Sequence, residues 1–164
     1  MSNEIRTAGS GTESVWDYPR PPRLEPTSKQ IRVEFGGIVI ADSSSTFRVL
    51  ETSHPPVYYI PPADIAMQYL LQGTGDSYCE WKGSAGYHHV VVGEARAENA
   101  AWSYTNPTPA FRAIQDFIAF YPAPMDGCYV NGERVVSQPG DFYGGWITSD
   151  LVGPFKGAPG TRGW

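Results

Sequence analysis

Residues 78–89, Tyr-Cys-Glu-Trp-Lys-Gly-Ser-Ala-Gly-Tyr-His-His, put a thiol, a carboxylate, an ammonium, an indole, phenols and two imidazoles into one short stretch. Glycines on either side of Ser84-Ala85 predict a β-hairpin that turns there. In that register Trp81 faces His88, Cys79 faces Val90, Glu80 faces His89 and Lys82 faces Tyr87. Because strand side chains alternate, one face then carries Cys79, Trp81 and His88, and the other carries Glu80, Lys82, Tyr87 and His89. Cys79 and His88 become diagonal neighbours, roughly 7–8 Å apart at the backbone. A thiol beside an imidazole can act as a nucleophile or a redox thiol. Without that partner it is a small apolar filler. Lys82, next to Gly83, can anchor an anion, act as a base or form a Schiff base; the plain alternative is a solvated surface charge. Glu80 and His89 read as a cross-strand surface pair.

Beyond this stretch the chemistry is carried by single residues. Arg48 sits among apolar neighbours, where an unpaired guanidinium would be costly, so it is expected to pair with Glu51 or Asp42 or with an acidic ligand. Trp81, Trp102, Tyr104 and Trp146 can wall a flat or cationic ligand, although each alone is as easily a packing residue. Tyr58 and Tyr59 add two phenols, Tyr59 as a reactive candidate and Tyr58 as a ligand contact. Metal chemistry lacks support. The two cysteines, Cys79 and Cys128, have no C-x-x-C partner, and adjacent His88-His89 would point to opposite strand faces. No metal ion or other cofactor is expected.

The elements that must position these groups are mostly strands. Ile31, Val33 and Phe35 alternate with Arg32 and Glu34, the pattern of a half-buried strand, and Gly36-Gly37 turns it into Ile38–Ala41. In the next strand Phe47, Val49 and Glu51 share one face, and Arg48 and Leu50 the other. Val57–Ile60 is another strand. Pro61-Pro62, Asp64 and the Ile65/Tyr69 and Ala66/Leu70 spacing predict a short amphipathic helix over 63–71. Thr108-Pro109 reads as the cap of a second short helix through Asp116. Phe117–Tyr121 is apolar on both faces and should be a central strand. Cys128–Val130, Asn131-Gly132 and Arg134–Val136 form the clearest hairpin, since Asn-Gly favours a two-residue type I′ turn. From Gly140 to Trp164 periodicity vanishes into a long loop, a feature that is often functional. Lys82-Gly83 and Lys156-Gly157 each follow an aromatic and precede a glycine three residues on, an echo too short to count as an internal repeat.

The whole chain bounds these readings. Its 164 residues suffice for one domain with its own core. The 18 glycines and 15 prolines, with 10 tyrosines and 5 tryptophans, suit short strands joined by many turns. Residues 1–28 read as an extended, proline-rich N-terminal arm, followed by a single domain over 29–164. Trp16 and Tyr18 would pin that arm to the domain or to a second copy, which offers a route to a homodimer. A net charge of −5 argues against a nucleic-acid partner. No apolar run approaches about 18 residues, so no membrane span is expected. The first residues lack the apolar core of a signal peptide, and a cytoplasmic protein is expected.

Several short motifs together resemble the family known as domain of unknown function 427, sometimes labelled nucleotidyltransferase-like. They are Ile40-Ala-Asp-Ser43, Arg48-Val-Leu-Glu51, Pro56-Val-Tyr-Tyr-Ile-Pro61 with Asp64, and Cys79-x-Trp-Lys-Gly83-x-Ala85-x-Tyr87. Ala101-Trp-Ser-Tyr104, Ala119-Phe-Tyr121 and the segment from Gly-Gly-Trp146 to Trp164 extend the similarity over about residues 29–164. The resemblance implies a β-tent, the two-sheet fold of methionine sulfoxide reductase B and the cereblon ligand domain, and implies no established activity. Nucleotidyl transfer would need a Gly-Ser followed by Asp-x-Asp to hold magnesium and triphosphate, and the chain has no Asp-x-Asp. Glu80 stands where the family commonly has proline, and His88 where it commonly has an aromatic.

The residues and the resemblance lead to one expectation: a mainly β, β-tent protein with two short helices and an aromatic-lined pocket, acting on a small polar or anionic metabolite by acid–base or nucleophilic chemistry. Tyr59, Cys79 and Lys82 are the reactive candidates. Arg48, Glu51, Tyr58, Trp81, His88, Trp102, Tyr104 and Trp146 are the ligand contacts. A non-catalytic sensor or carrier using the same pocket is the alternative. Thiol redox work is weaker, since it is suggested by fold alone.

Overall fold

A computed structural model of the chain describes residues 12–140, 143–157, 160–161 and 163–164. Of the arm expected over 1–28, residues 1–11 lie outside the described residues. The remainder follows the body of the protein as β1 (Glu13–Ser14), a 3-10 turn at Val15–Asp17 and β2 (Arg23–Thr27). Val15 and Tyr18 are buried against Leu50. Trp16 donates from Nε1 to the Pro154 carbonyl at 2.8 Å, and its ring meets Trp164 edge-on.

The alternation read at 31–35 becomes β3 (Ile31–Phe35), with its odd residues buried. Gly36-Gly37 turns it into β4 (Ile38–Ser43). β5 (Thr46–Leu50) pairs with β2 on one side and with β6 (Val57–Tyr59) on the other. A meander of β7 (Leu70–Cys79), β8 (Gly83–Val92) and β9 (Ala95–Ser103) is completed by β10 (Ile118–Phe120), which pairs with β9. β11 (Gly127–Val130) joins β3 and turns into β12 (Glu133–Arg134) through Asn131-Gly132 at φ 50° and 83°, the conformation a type I′ turn requires. Short ladders finish the fold: β13 (Val136–Ser137) with β14 (Trp146–Ile147), and β15 (Leu151–Val152) parallel to β1. The protein is mainly β, in several sheets. No helix among the described residues is long and apolar enough to cross a membrane.

The two expected helices do not form as such. Residues 62–69 fold as two 3-10 turns, Pro62–Asp64 and Met67–Tyr69, and Leu70 already belongs to β7. Ile65 is extended at φ −121° and bridges Ala41, while the Ala66 N–H bonds to the Ile40 carbonyl at 2.8 Å. A helix this short is marginal alone, so pairing with β4 overrides the i, i+4 stripe. The second becomes a 3-10 segment at Pro109–Ile114, and the Thr108 side chain does not cap it.

β10 is short but central in effect. Its ladder partner is β9, and Ile118 also exchanges two backbone hydrogen bonds with Ile60, each 2.9 Å, at the end of β6. That bridge stitches the β2–β5–β6 sheet to the meander. Alternate side chains then go to opposite clusters. Tyr58, Ile60, Ala101, Ile118 and Phe120 enter the main core with Ile31, Val33 and Trp146. Tyr59, Trp102 and Ala119 enter a second cluster with Val49, Tyr104 and Phe111.

Arg48 is 8% exposed, and its charge is matched by neither Glu51 nor Asp42. Its Nε donates to Glu25 at 2.6 Å, and its two terminal nitrogens fork onto Glu13 at 3.0 and 3.1 Å. Glu25 lies directly opposite on β2, whereas Glu51, three residues along the same chain, falls on the other face. Tyr18 donates its hydroxyl to Glu13 as well. Burial alone would push the Glu13 carboxyl up, but the hydrogen bonds from Arg48 and Tyr18, with the charges of Arg48 and Lys29, hold it below its ordinary value of 4.5. A carboxyl depressed on folding contributes stability that is present above about pH 4.5 and lost as pH falls through the folded value. Urea unfolding followed from pH 7 to pH 3 should therefore show an acid-side loss that is shallower in Glu13→Gln. An unchanged slope would count against the network.

Candidate functional site

The second cluster borders a cavity of about 270 Å³, and the groups that line it come from five places in the chain. β5 and the turn after it bring Val49, Glu51 and His54; β6 brings Tyr59; the β7–β8 hairpin brings Cys79 to Lys82 and Tyr87. β9 and the residues after it and β10 supply Trp102, Tyr104 and Tyr121, and the final loops supply Gln138, Tyr143, Gly144 and Lys156.

The hairpin does not turn where the sequence suggests. Cys79 pairs with Gly83 and Tyr78 with Ser84, so the turn is Glu80-Trp81-Lys82 rather than Ser84-Ala85. Gly83, at φ 108°, closes it. Thr108 clamps it: its hydroxyl donates to the Trp81 carbonyl at 2.6 Å, and its N–H to the Lys82 carbonyl at 3.0 Å. This is the work Thr108 does in place of capping a helix. The shifted register separates Cys79 from His88, which lies opposite Gln72 and Ala101, and separates Glu80 from His89, which lies opposite Leu71.

Cys79 finds a different partner. Lys82 Nζ donates to its sulfur at 3.4 Å and also stands 5.9 Å from the ring centres of Tyr104 and Phe111. Behind them is a phenol pair. Tyr59 accepts from Trp102 Nε1 at 3.2 Å, and its hydroxyl is paired with that of Tyr104. Burial raises the Tyr59 pKa further than those two hydrogen bonds lower it, and burial together with the neighbouring Tyr59 raises that of Tyr104. Both phenols therefore stay protonated.

Ring contacts trace the wall onward. Tyr104 lies 6.2 Å from Tyr59, Tyr59 is 6.3 Å from Trp102, and Trp102 is 4.6 Å from Tyr121. Gly144 sits so close to this wall that a Cβ would come within 2.3 Å of the Trp102 ring. Beside it, Tyr143 meets the His54 ring at 5.0 Å and the Lys156 ammonium at 5.5 Å.

Of the residues singled out in the sequence, the cavity brings together Glu51, Tyr59, Cys79, Trp81, Lys82, Trp102 and Tyr104. Arg48, Tyr58, His88 and Trp146 lie elsewhere. Arg48 serves the ion-pair network; Tyr58 packs at 5.1 Å on the fully buried Trp146, whose Nε1 donates to the Phe120 carbonyl at 3.0 Å. His88 points from the opposite face of β8 to the Ser103 hydroxyl at 2.8 Å, and burial lowers its pKa. Glu51 carries an ion pair with Arg20 at 3.4 Å. Cys128 is buried in the core, its thiol pushed up to about 12 by burial. Among the described residues no group of three metal-ligating side chains converges.

The sequence reading missed His54, Tyr121, Gln138, Tyr143 and Lys156. One signal was there for Lys156: the echo of Trp81-Lys82-Gly83 in Phe155-Lys156-Gly157. Both lysines line this cavity, and both following glycines take a strongly positive φ, 108° and 124°.

Fold and site together define a mainly β protein with an aromatic-walled cavity bearing a thiol, an imidazole and two ammonium groups. The profile of the domain of unknown function (DUF427) family matches residues 23–131, roughly two thirds of the chain, and the protein belongs to that family. No curated protein matches it. The matched span holds His54, Tyr59, Cys79, Lys82 and Trp102 but ends before Tyr143 and Lys156.

Tyr59→Phe removes the acceptor of Trp102 Nε1 while leaving ring packing in place. Leaving a buried indole N–H unpaired costs about 1–3 kcal/mol, and denaturant unfolding should register a loss in that range. A neutral substitution would show that water or another group satisfies Trp102.

Proposed function

We propose that the protein is an enzyme acting on a small metabolite with an anionic group and a flat or cyclic body. The carrying observation is that Cys79, Lys82 and the Tyr59–Tyr104 pair meet on one aromatic-walled cavity. Its volume of about 270 Å³ suits a metabolite and is too small for a polymer. Trp102, Tyr104 and Trp81 offer flat surfaces for the body of the ligand. Cys79 is the nucleophile in this reading, Lys82 holds the anionic group or protonates the leaving group, and Tyr59 donates to a carbonyl or ring oxygen. The fold is proposed to be a β-tent, a reading supported by two antiparallel sheets that meet along the Ile60–Ile118 bridge.

A thermal-shift screen of small carboxylic acids and phosphate esters tests the site. Compounds that stabilise the native protein should lose roughly tenfold or more in affinity with Lys82→Ala, which removes a charge-assisted contact, and should also weaken with Trp102→Ala. Cys79→Ala should keep binding and abolish turnover. Ligands that bind both cavity variants as well as the native chain would sink the site. Binding without any turnover would assign the same cavity to a sensor or carrier.

A further inference from the structure

The far end of the aromatic wall carries chemistry that the Cys79–Lys82 pair does not use. His54 is 9% exposed, lines the cavity and holds its Nδ1 2.9 Å from the Thr52 carbonyl. A carbonyl oxygen can only accept, so Nδ1 carries a proton, and in the neutral ring the lone pair is on Nε2. Lys156 stands beside it with its backbone fixed on both sides. Its N–H donates to the Ser53 carbonyl at 2.8 Å, and its carbonyl accepts from Gln138 Nε2 at 2.8 Å. Its ammonium gives one donor to the Trp164 carbonyl at 3.2 Å and, with three to give, has others for a ligand.

We infer that His54 is the proton acceptor of this cavity, and that Lys156 anchors an oxyanion, carboxylate or phosphate, on the molecule that His54 deprotonates. The inference rests on the cavity reading above and adds its base and its substrate class: a small acid or phosphate ester with a dissociable C–H or O–H near the oxyanion. In the step, the proton moves from that C–H or O–H to Nε2, and the bonding electron pair stays on the substrate atom. The imidazole becomes an imidazolium, so no other reagent is consumed. The charged and titratable groups facing the ring are Glu51, Lys156, Arg20 and Tyr143. Burial is the largest influence on its pKa and lowers it; Glu51 and the Thr52 carbonyl work against that shift, while Lys156 and Arg20 add to it. The ring is therefore neutral, and able to take a proton, at neutral pH.

Long-range 1H–15N spectra of the full chain with 15N-labelled histidine, titrated with inorganic phosphate as probe, test the assignment. His54 should show the Nδ1–H tautomer and titrate below its ordinary 6.5. Phosphate should shift the His54 signals and raise that pKa, because a nearby anion favours the imidazolium. Lys156→Ala should weaken the phosphate response about tenfold or more. In a phosphate thermal-shift titration, which needs no histidine signal, His54→Asn, which keeps a donor for the Thr52 carbonyl, should still bind phosphate to within about twofold, since the anchor is Lys156. An Nε2–H tautomer, an imidazolium at pH 7, or a phosphate response unchanged in Lys156→Ala would each overturn the assignment. If phosphate binding is instead lost in Lys82→Ala and kept in Lys156→Ala, the cavity reading survives and this inference falls. Binding lost in neither removes both.

Discussion

Two backbone hydrogen bonds between Ile60 and Ile118 hold this architecture in register. Each sheet on its own could twist or slide against the other. The bridge fixes which residue of β6 lies beside which residue of β10, and the period-two alternation of strands then sorts every neighbour. Tyr58, Ile118 and Phe120 fall on the side of the main core, while Tyr59 and Ala119 fall on the side of the cavity. Slipping either strand by one residue would exchange the phenol that lines the cavity for the one that packs on Trp146. The cavity wall therefore depends on a contact that no cavity residue makes.

The ion-pair network around Arg48 secures the other side of β5. Forked contacts to Glu13 and a single contact to Glu25 bring two short N-terminal strands onto the sheet. A guanidinium this buried is costly alone and acceptable when most of its donors are used. The arrangement helps keep Val49 and Glu51 turned toward the cavity, because Arg48 and Leu50 hold the opposite face of the same strand. The alternation at 47–51 is readable from the residues alone. The identity of the carboxylates is not, since Glu13 and Glu25 lie 35 and 23 residues away and no local pattern links them to Arg48.

Most strands were legible because their signals are local: alternating burial at 31–35, the Asn131-Gly132 turn, and the doubly apolar stretch around Ile118. The family was legible because its motifs sit on those strands. What escaped depends on tertiary competition. The stripe at 63–71 is a valid helical pattern, yet the bridge from Ile65 to Ala41 is worth more than an isolated short helix. The hairpin at 79–83 has two plausible turns, and Thr108, more than twenty residues on, selects the earlier one. His54, between Ser53 and Pro55-Pro56, has no periodic neighbour to mark it.

The division of labour in the cavity follows from the same physics. Its rigid walls are side chains of strands or of residues next to them: Tyr59, Tyr87, Trp102, Tyr104 and Tyr121. Its ammonium groups and its imidazole come from turns: His54 after β5, Lys82 in the β7–β8 turn, and Lys156 in the final loop. A turn can present a polar tip without burying backbone groups that need partners, which a strand interior cannot do as freely. The usual penalty is imprecision, and here each turn is clamped from outside. Thr108 holds both carbonyls of Trp81 and Lys82, and Ser53 and Gln138 hold both sides of Lys156. The Lys-Gly pairs are the local form of that solution. A glycine at strongly positive φ reverses the chain immediately after the lysine, and a distant residue then fixes the reversal, so two unrelated loops deliver ammonium groups to one wall of rings.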